Sequence, residues 1–194
     1  MYKKDIRKIE EHLKDILTED RYTHTLGVAY TSASMAMAYQ GDMEQSYVAG
    51  LLHDCAKCIS DEEKIRICDK NNIYLSDLER KNPYLIHSKL GSYLAQMEYG
   101  ISDQEILSAI QYHTTGKPDM SLLEKIVFTA DYIEPSRRKA PNLFEIRAKA
   151  FENIEKAMVI ILRDTLKHLQ DTSLEIDDLT MQTYQYYLKK TGEL

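Results

Sequence analysis

The run Ser121-Leu122-Leu123-Glu124-Lys125-Ile126-Val127-Phe128-Thr129-Ala130-Asp131-Tyr132-Ile133 opens with a serine three residues ahead of a glutamate. At a helix start, side chains at that spacing can each accept from the other's backbone N–H. Apolar residues at helical intervals follow, so the run reads as a helix over about 122–133. The same Ser-x-x-Glu spacing recurs at Ser60 and Glu63, Ser76 and Glu79, and Ser102 and Glu105, each ahead of an apolar-periodic segment. Four such starts are hard to reconcile with strands, and they predict an all-α protein.

Working outward, Ile6, Ile9, Leu13, Ile16 and Leu17 predict a first helix over about 4–17. A second runs over about 20–39 and stops at Gly41, a residue favoured just past a helix end. Asp42 caps a third, which reaches about Asp54. Further helices are expected over about 61–71, 77–81, 87–99, 103–113, 143–169 and 178–190. Pro135 and Pro141 bracket a basic loop, Ser136 to Ala140. With no internal repeat, low-complexity tract or linker, the expectation is one domain spanning 1–194, with a core over about 20–135 and a C-terminal helical extension over about 142–190.

Composition agrees. Seven Gly and four Pro make up roughly 6% of the 194 residues, against ~12% in average proteins. A turn-rich sandwich or a disordered chain is disfavoured. The balance of 25 Lys+Arg against 31 Asp+Glu gives −6, which disfavours a general nucleic-acid coat, since phosphate neutralisation needs surplus cations. Met1 to Arg7 carry no apolar signal-peptide core, and Ala157 to Leu162 are too few to span a bilayer. Three cysteines, an odd number, are expected to be reduced thiols in the cytoplasm, and Cys55-x-x-Cys58 is read as two ordinary cysteines rather than a redox or zinc pair. Tyr184, Tyr186 and Tyr187 are expected in helix packing or a homodimer contact.

Metal-ligand side chains recur at predicted helix ends or on helix faces: His24, the adjacent His53-Asp54 pair, His87, His113 and Asp131. Imidazole with carboxylate suits a divalent ion such as Fe, Mn, Zn or Mg. Neighbours on a helix diverge by about 100°, so His53 and Asp54 share one ion most easily at a helix terminus. Gly27, Gly50 and Gly91 each lie one turn from a candidate ligand, which predicts close helix packing there. His12 and His168 lack this context and are read as structural.

The segments carrying these residues are Arg21-Tyr22-Thr23-His24-Thr25-Leu26-Gly27, Ala49-Gly50-Leu51-Leu52-His53-Asp54-Cys55-Ala56-Lys57, His113-Thr114-Thr115-Gly116 and Ala130-Asp131-Tyr132-Ile133-Glu134-Pro135-Ser136-Arg137. Together they resemble the HD-domain metal-dependent phosphohydrolases, and within them the YqeK-type symmetrical bis(5′-nucleosyl)-tetraphosphatases. Two positions depart from the family pattern: Ser88-Lys89 stands where many relatives have Gly-Pro, and Cys55 where an aromatic is common. The resemblance implies an HD helical bundle and a catalytic metal, commonly iron, held by His24, His53, Asp54 and Asp131. It also implies cleavage of diadenosine tetraphosphate into two ADP by metal-activated water, which Asp54 or Asp131 orients. His87 and His113 then contact phosphate, the favoured role, or hold a second ion bridged by Asp54. Arg137, Lys57 and Thr114 are the candidate contacts to the polyphosphate. The expected partner is a small nucleotide, with no nucleic acid and no membrane. The alternatives are another HD phosphohydrolase (a nucleotidase or phosphodiesterase) and a non-catalytic, metal-stabilised sensor.

Overall fold

Three of the four Ser-x-x-Glu sites start a helix as their spacing predicts. In a computed structural model that describes residues 3–192, Ser76 with Glu79 and Ser121 with Glu124 form the full reciprocal pair. Ser60 Oγ accepts from the Glu63 N–H at 3.3 Å. The fourth start differs: Asp103, not Ser102, is the cap, its Oδ1 accepting from the Glu105 N–H at 2.9 Å. A carboxylate is the stronger acceptor, and its charge complements the positive end of the helix.

The order is α1 (Lys3–Ile16), α2 (Glu19–Ala38), α3 (Met43–Leu52), α4 (Asp61–Lys70), α5 (Asp77–Lys81), a 3-10 turn (Pro83–Leu85), α6 (Ile86–Met97), α7 (Gln104–Tyr112), α8 (Leu122–Ile133), α9 (Leu143–Glu152), α10 (Ile154–Asp171) and α11 (Asp178–Thr191). No strand occurs among the described residues, and no helix there is long and apolar enough to cross a membrane. The expected helix over 143–169 is two helices. Asn153 breaks it with extended backbone (φ −154°, ψ 96°), and its side chain caps α10 by accepting from the Lys156 N–H at 3.1 Å.

Two buried apolar clusters flank a central pair of helices. Leu13, Leu51, Leu52, Leu90 and Ile110 belong to the first, which joins α1, α3, α6 and α7. Ile146, Met158, Ile161 and Tyr187 belong to the second, which joins α9, α10 and α11. Helices α2 and α8 feed both: Ala29 and Val127 point into the first, Val28, Met35, Ile126 and Phe128 into the second. Each fully buried Leu, Ile or Met adds about 1.5–3 kcal/mol, so α2 and α8 are held from two sides.

The C-terminal tyrosines belong to this packing. Tyr187 is fully buried, its hydroxyl accepting from the Met120 N–H at 2.8 Å, and the Tyr186 hydroxyl donates to Asp119 at 3.0 Å. Cys55 is buried, Cys58 is exposed, and neither is in a disulfide. Both remaining histidines are exposed: His12 lies on α1 with its ring 5.5 Å from that of Tyr99, and His168 lies in the last turn of α10.

Candidate metal centre

The ligand candidates meet where α2, α3, α6, α7 and α8 converge. His53 ends α3 and His113 ends α7, His24 and Asp131 lie within α2 and α8, and His87 stands in the first turn of α6. His24 Nε2 lies 3.0 Å from Asp131 Oδ1 and 4.0 Å from Asp54 Oδ2. His53 Nε2 lies 3.4 Å from Asp54 Oδ2 and 3.9 Å from Asp131 Oδ1. The other Asp54 oxygen faces the opposite way, 3.4 Å from His87 Nε2 and 3.7 Å from His113 Nε2. Two overlapping triplets, His24–His53–Asp131 and His53–Asp54–His113, each bring their ligand atoms within 4.8 Å of one another.

All four imidazoles are oriented in the same sense. The Nδ1–H groups of His53, His87 and His113 donate to the carbonyls of Gly50 (2.7 Å), Tyr84 (2.6 Å) and Ile110 (2.7 Å). A carbonyl only accepts, so Nδ1 carries a proton, and in the neutral ring Nε2 presents a lone pair to the centre. His24 reaches the same state through a side chain: its Nδ1–H donates to Glu134 Oε1 at 3.0 Å.

The donor set fits a cation. His24 Nε2, His53 Nε2 and Asp54 Oδ1 are buried and have no hydrogen-bond partner. Buried polar atoms are rarely left so; a divalent ion on the His24–His53 side accounts for the two nitrogens, and Asp54 Oδ1 faces the His87–His113 side. The surrounding imidazoles hold Asp54 and Asp131 well below the usual carboxylate range although burial opposes this. The ionised pair offsets a divalent charge. Burial, with Lys57 near one ring and His53 near the other, pushes His87 down to about 3 and His113 to about 4. Both are neutral at physiological pH, so donating from Nε2 to a phosphate oxygen, the role favoured from the sequence, needs a proton that their surroundings disfavour. A lone pair aimed at a cation suits them better.

The centre opens on one side. The Asp131 side chain is 25% exposed, against 3% for Asp54 and 0% for His53. On that side a cavity of about 460 Å³ is bordered by Arg21, His24, Glu134, Arg137, Arg138 and Lys139. Arg21 Nη1 donates to Asp54 Oδ2 at 2.8 Å. Arg137 Nη2 donates to the backbone and side-chain oxygens of Asp131 at 2.9 and 3.0 Å, while its Nε–H is buried without a partner. Lys57, half-buried, places Nζ 3.2 Å from His87 Nε2, and Thr114 Oγ1 lies 3.3 Å from His87 Nε2 and 3.2 Å from His113 Nε2. The chain thus brings every predicted site residue to one locus.

Three contributors escaped the sequence reading. Arg21 and Glu134 lie within the quoted segments, three residues before His24 and three after Asp131, and that i, i+3 spacing was the available signal. Arg147 on α9 had none. It donates to the carbonyls of Ile133 (2.8 Å), Glu134 (2.7 Å) and Arg137 (3.1 Å), pinning the turn that carries Arg137.

The glycine expectation holds at two of three positions. A Cβ at Gly50 would meet Ala29 Cα at 2.9 Å, where α3 crosses α2, and one at Gly27 would meet Glu134 Oε2 at 2.5 Å. At Gly91 the nearest atom would be 3.5 Å away, so a methyl group fits there and no close approach demands glycine.

Comparison with known proteins matches residues 21–136 to the HD domain. The chain is 37% identical over 174 residues to the symmetrical bis(5′-nucleosyl)-tetraphosphatase of Bacillus subtilis (strain 168), covering 90% of this chain and 92% of that protein. It is likewise 37% identical over 176 residues to the protein of the same name from Halalkalibacterium halodurans, covering 91% and 93%. A crystal structure from Clostridium acetobutylicum, described as a predicted HD superfamily hydrolase involved in NAD metabolism, superposes with a TM-score of 0.92 at 39% identity, over 95% of this chain and 97% of that one. With the matched residues carrying the converging His/Asp cluster, the chain belongs to the HD-domain phosphohydrolases, in the group of the symmetrical bis(5′-nucleosyl)-tetraphosphatases.

Proposed function

We propose that the protein hydrolyses dinucleoside tetraphosphates symmetrically, converting diadenosine tetraphosphate to two ADP, with His24, His53, Asp54 and Asp131 as ligands of the catalytic ion. The observation that carries this reading is a set of buried, unpartnered ligand atoms beside a cavity bordered by four cationic side chains. The names of the relatives support the choice of substrate. A bound divalent ion supplies a Lewis acid and a water of lowered pKa.

The chain's own residues do the rest. Arg21, Arg137, Arg138 and Lys139 attract a polyphosphate to the open side of the centre. Arg137 has an unused Nε–H, and its planar fork suits phosphate oxygens. Asp54 and Asp131, ionised and adjacent to the ligand atoms, orient the attacking water. Glu134 keeps the proton of His24 on Nδ1, and Lys57 beside His87 and Thr114 beside both rings offer donors to the polyphosphate. Iron is the favoured ion, with Mn, Zn or Mg as substitutes, since imidazole with carboxylate suits borderline to hard cations. His87 and His113, with the second oxygen of Asp54, form the place for a second ion. The cytoplasm is the compartment in which we expect this enzyme to work.

The test is the product spectrum. Metal-loaded protein incubated with diadenosine tetraphosphate should yield ADP as the sole nucleotide when resolved by chromatography. AMP with ATP would overturn the reading, as would turnover confined to monophosphates, deoxynucleoside triphosphates or cyclic dinucleotides.

A further inference from the structure

Arg137 and Lys139 line two cavities at once. One is the basic cavity at the metal centre. The other, of about 700 Å³, lies between the loop 137–142 and the last two turns of α10, with Tyr132 of α8 in its wall. None of the candidate metal ligands lines this second cavity, so a molecule held in it does not touch the centre. Its link to the chemistry is the loop, whose two cations stand between the spaces.

Donors reach this cavity from three sides. Lys167 and His168 face it from α10, both exposed, and Lys139 faces it from the loop. The ammonium groups of Lys139 and Lys167 have no carboxylate partner among the described residues. From α8, burial and the nearby Asp164 push the Tyr132 hydroxyl up to about 12, so it keeps its proton and can donate. The two carboxylates differ in role. Asp164 is buried, and its Oδ2 accepts from Asn142 Nδ2 at 2.8 Å, which ties the loop to α10. Asp171 is exposed at the end of α10, where it can accept from hydroxyl groups. Converging cationic and hydroxyl donors suit phosphate oxygens, and an accepting carboxylate beside them suits a phosphate carried on a hydroxylated molecule.

We infer that this cavity is a regulatory site for a small phosphorylated molecule that also carries hydroxyl groups. Its phosphate takes Lys139, Lys167 and His168, and Asp171 accepts from its hydroxyls. Occupancy draws Lys139 and Arg137 towards α10 and away from a polyphosphate in the basic cavity, so the two ligands oppose each other through shared cations. That opposition rests on the polyphosphate reading above, whereas binding in the cavity does not.

Proton NMR of protein loaded with diamagnetic Zn²⁺ tests binding, with ribose 5-phosphate and inorganic phosphate as probes. The ring C–H signals of His168, assigned by their loss in His168→Gln, report this cavity and not the metal centre. Ribose 5-phosphate should shift them saturably. Lys167→Glu should weaken that binding by about tenfold or more, since an attraction becomes a repulsion. Asp171→Ala should weaken ribose 5-phosphate while inorganic phosphate stays within about twofold. Both variants change exposed side chains, and circular dichroism checks their folding. In turnover of diadenosine tetraphosphate, saturating ribose 5-phosphate should raise KM by about fivefold or more with kcat little changed, the lower end of ordinary coupling between sites. Lys167→Glu should abolish that rise and leave KM without ribose 5-phosphate within about twofold of the parent. A His168 ring that does not respond would overturn the inference. So would a rise in KM that persists in Lys167→Glu, which would place the molecule at the metal centre. A KM raised in Lys167→Glu alone would also overturn it, by marking the cavity as part of the substrate site. The NMR titration is read without turnover, so failure of the dinucleotide reading in the product assay is a separate result.

Discussion

Replacing Gly27 by Ala puts a methyl group against the Glu134 carboxylate, 2.5 Å from Oε2 and 3.2 Å from Cδ. The carboxylate cannot swing away freely. Oε1 accepts from His24 Nδ1 at 3.0 Å and from Ser136 Oγ at 2.6 Å, and Oε2 accepts from the Ser136 N–H at 2.6 Å. Two effects oppose each other. Exchanging Gly for Ala inside a helix gains about 1 kcal/mol. Losing even one hydrogen bond to a charged group costs about 1.5–3 kcal/mol. The difference is a net destabilisation of about 0.5–2 kcal/mol. Gly27→Ala should therefore lower the urea midpoint of the metal-free protein. Because Glu134 orients the imidazole we propose as a ligand, metal affinity should also fall, by about 10–100-fold. Chelator competition with Mn²⁺ measures the second effect. Glu134→Gln, which adds no bulk, should weaken the metal in the same direction. A more stable Gly27→Ala protein with unchanged metal affinity would refute the reasoning, since helix propensity alone would then govern the site.

Asp54→Ala removes the carboxylate that faces both histidine pairs, and we expect metal content and turnover to disappear together; an active, metal-free variant would overturn the ligand assignment. Arg147→Ala frees the carbonyls of Ile133, Glu134 and Arg137. The KM for substrate should rise as the Arg137 turn loosens, while Mn²⁺ affinity changes less; an unchanged KM would show that the turn holds itself. Glu155 lies 2.9 Å from Lys125 and 3.0 Å from Lys190, and these ammonium groups hold its pKa below the usual value although burial opposes them. A lowered folded pKa stabilises above the unfolded value of about 4.3 and is lost as pH falls through the folded one. Glu155→Gln should thus be less stable than the parent at pH 7 and converge with it in strong acid; a gap independent of pH would refute the ion-pair account.

The fold was readable because its signals are local. A serine followed three residues later by a glutamate satisfies two N–H groups at one helix start, whatever the rest of the chain does. Where a competitor stands alongside, as Asp103 does beside Ser102, spacing alone misplaces the cap by one residue. The break at Asn153 was hidden because the apolar period continues across it, although Asn is a favoured cap and was the clue. At the centre, His24, His53, Asp54 and Asp131 were legible from residue type and helical position. Arg147 was not, because its three acceptors are backbone carbonyls of a distant turn and leave no imprint on sequence. The lowered pKa values of His87 and His113 depend on burial and on neighbours brought in by folding, Lys57 beside the first and His53 beside the second, so no spacing could reveal them.

Three of the four inward imidazoles are steered by main-chain oxygens one turn away, at Gly50, Tyr84 and Ile110. Every residue type carries that oxygen, so no single substitution at those steering positions can delete the acceptor. His24 alone takes its orientation from a side chain. Apart from Gly50, where any side chain would meet Ala29 Cα at 2.9 Å, mutational fragility among the steering groups is therefore concentrated at Glu134. In a random library, variants that keep every ligand yet mis-aim one should cluster at that residue and at the glycine that makes room for it.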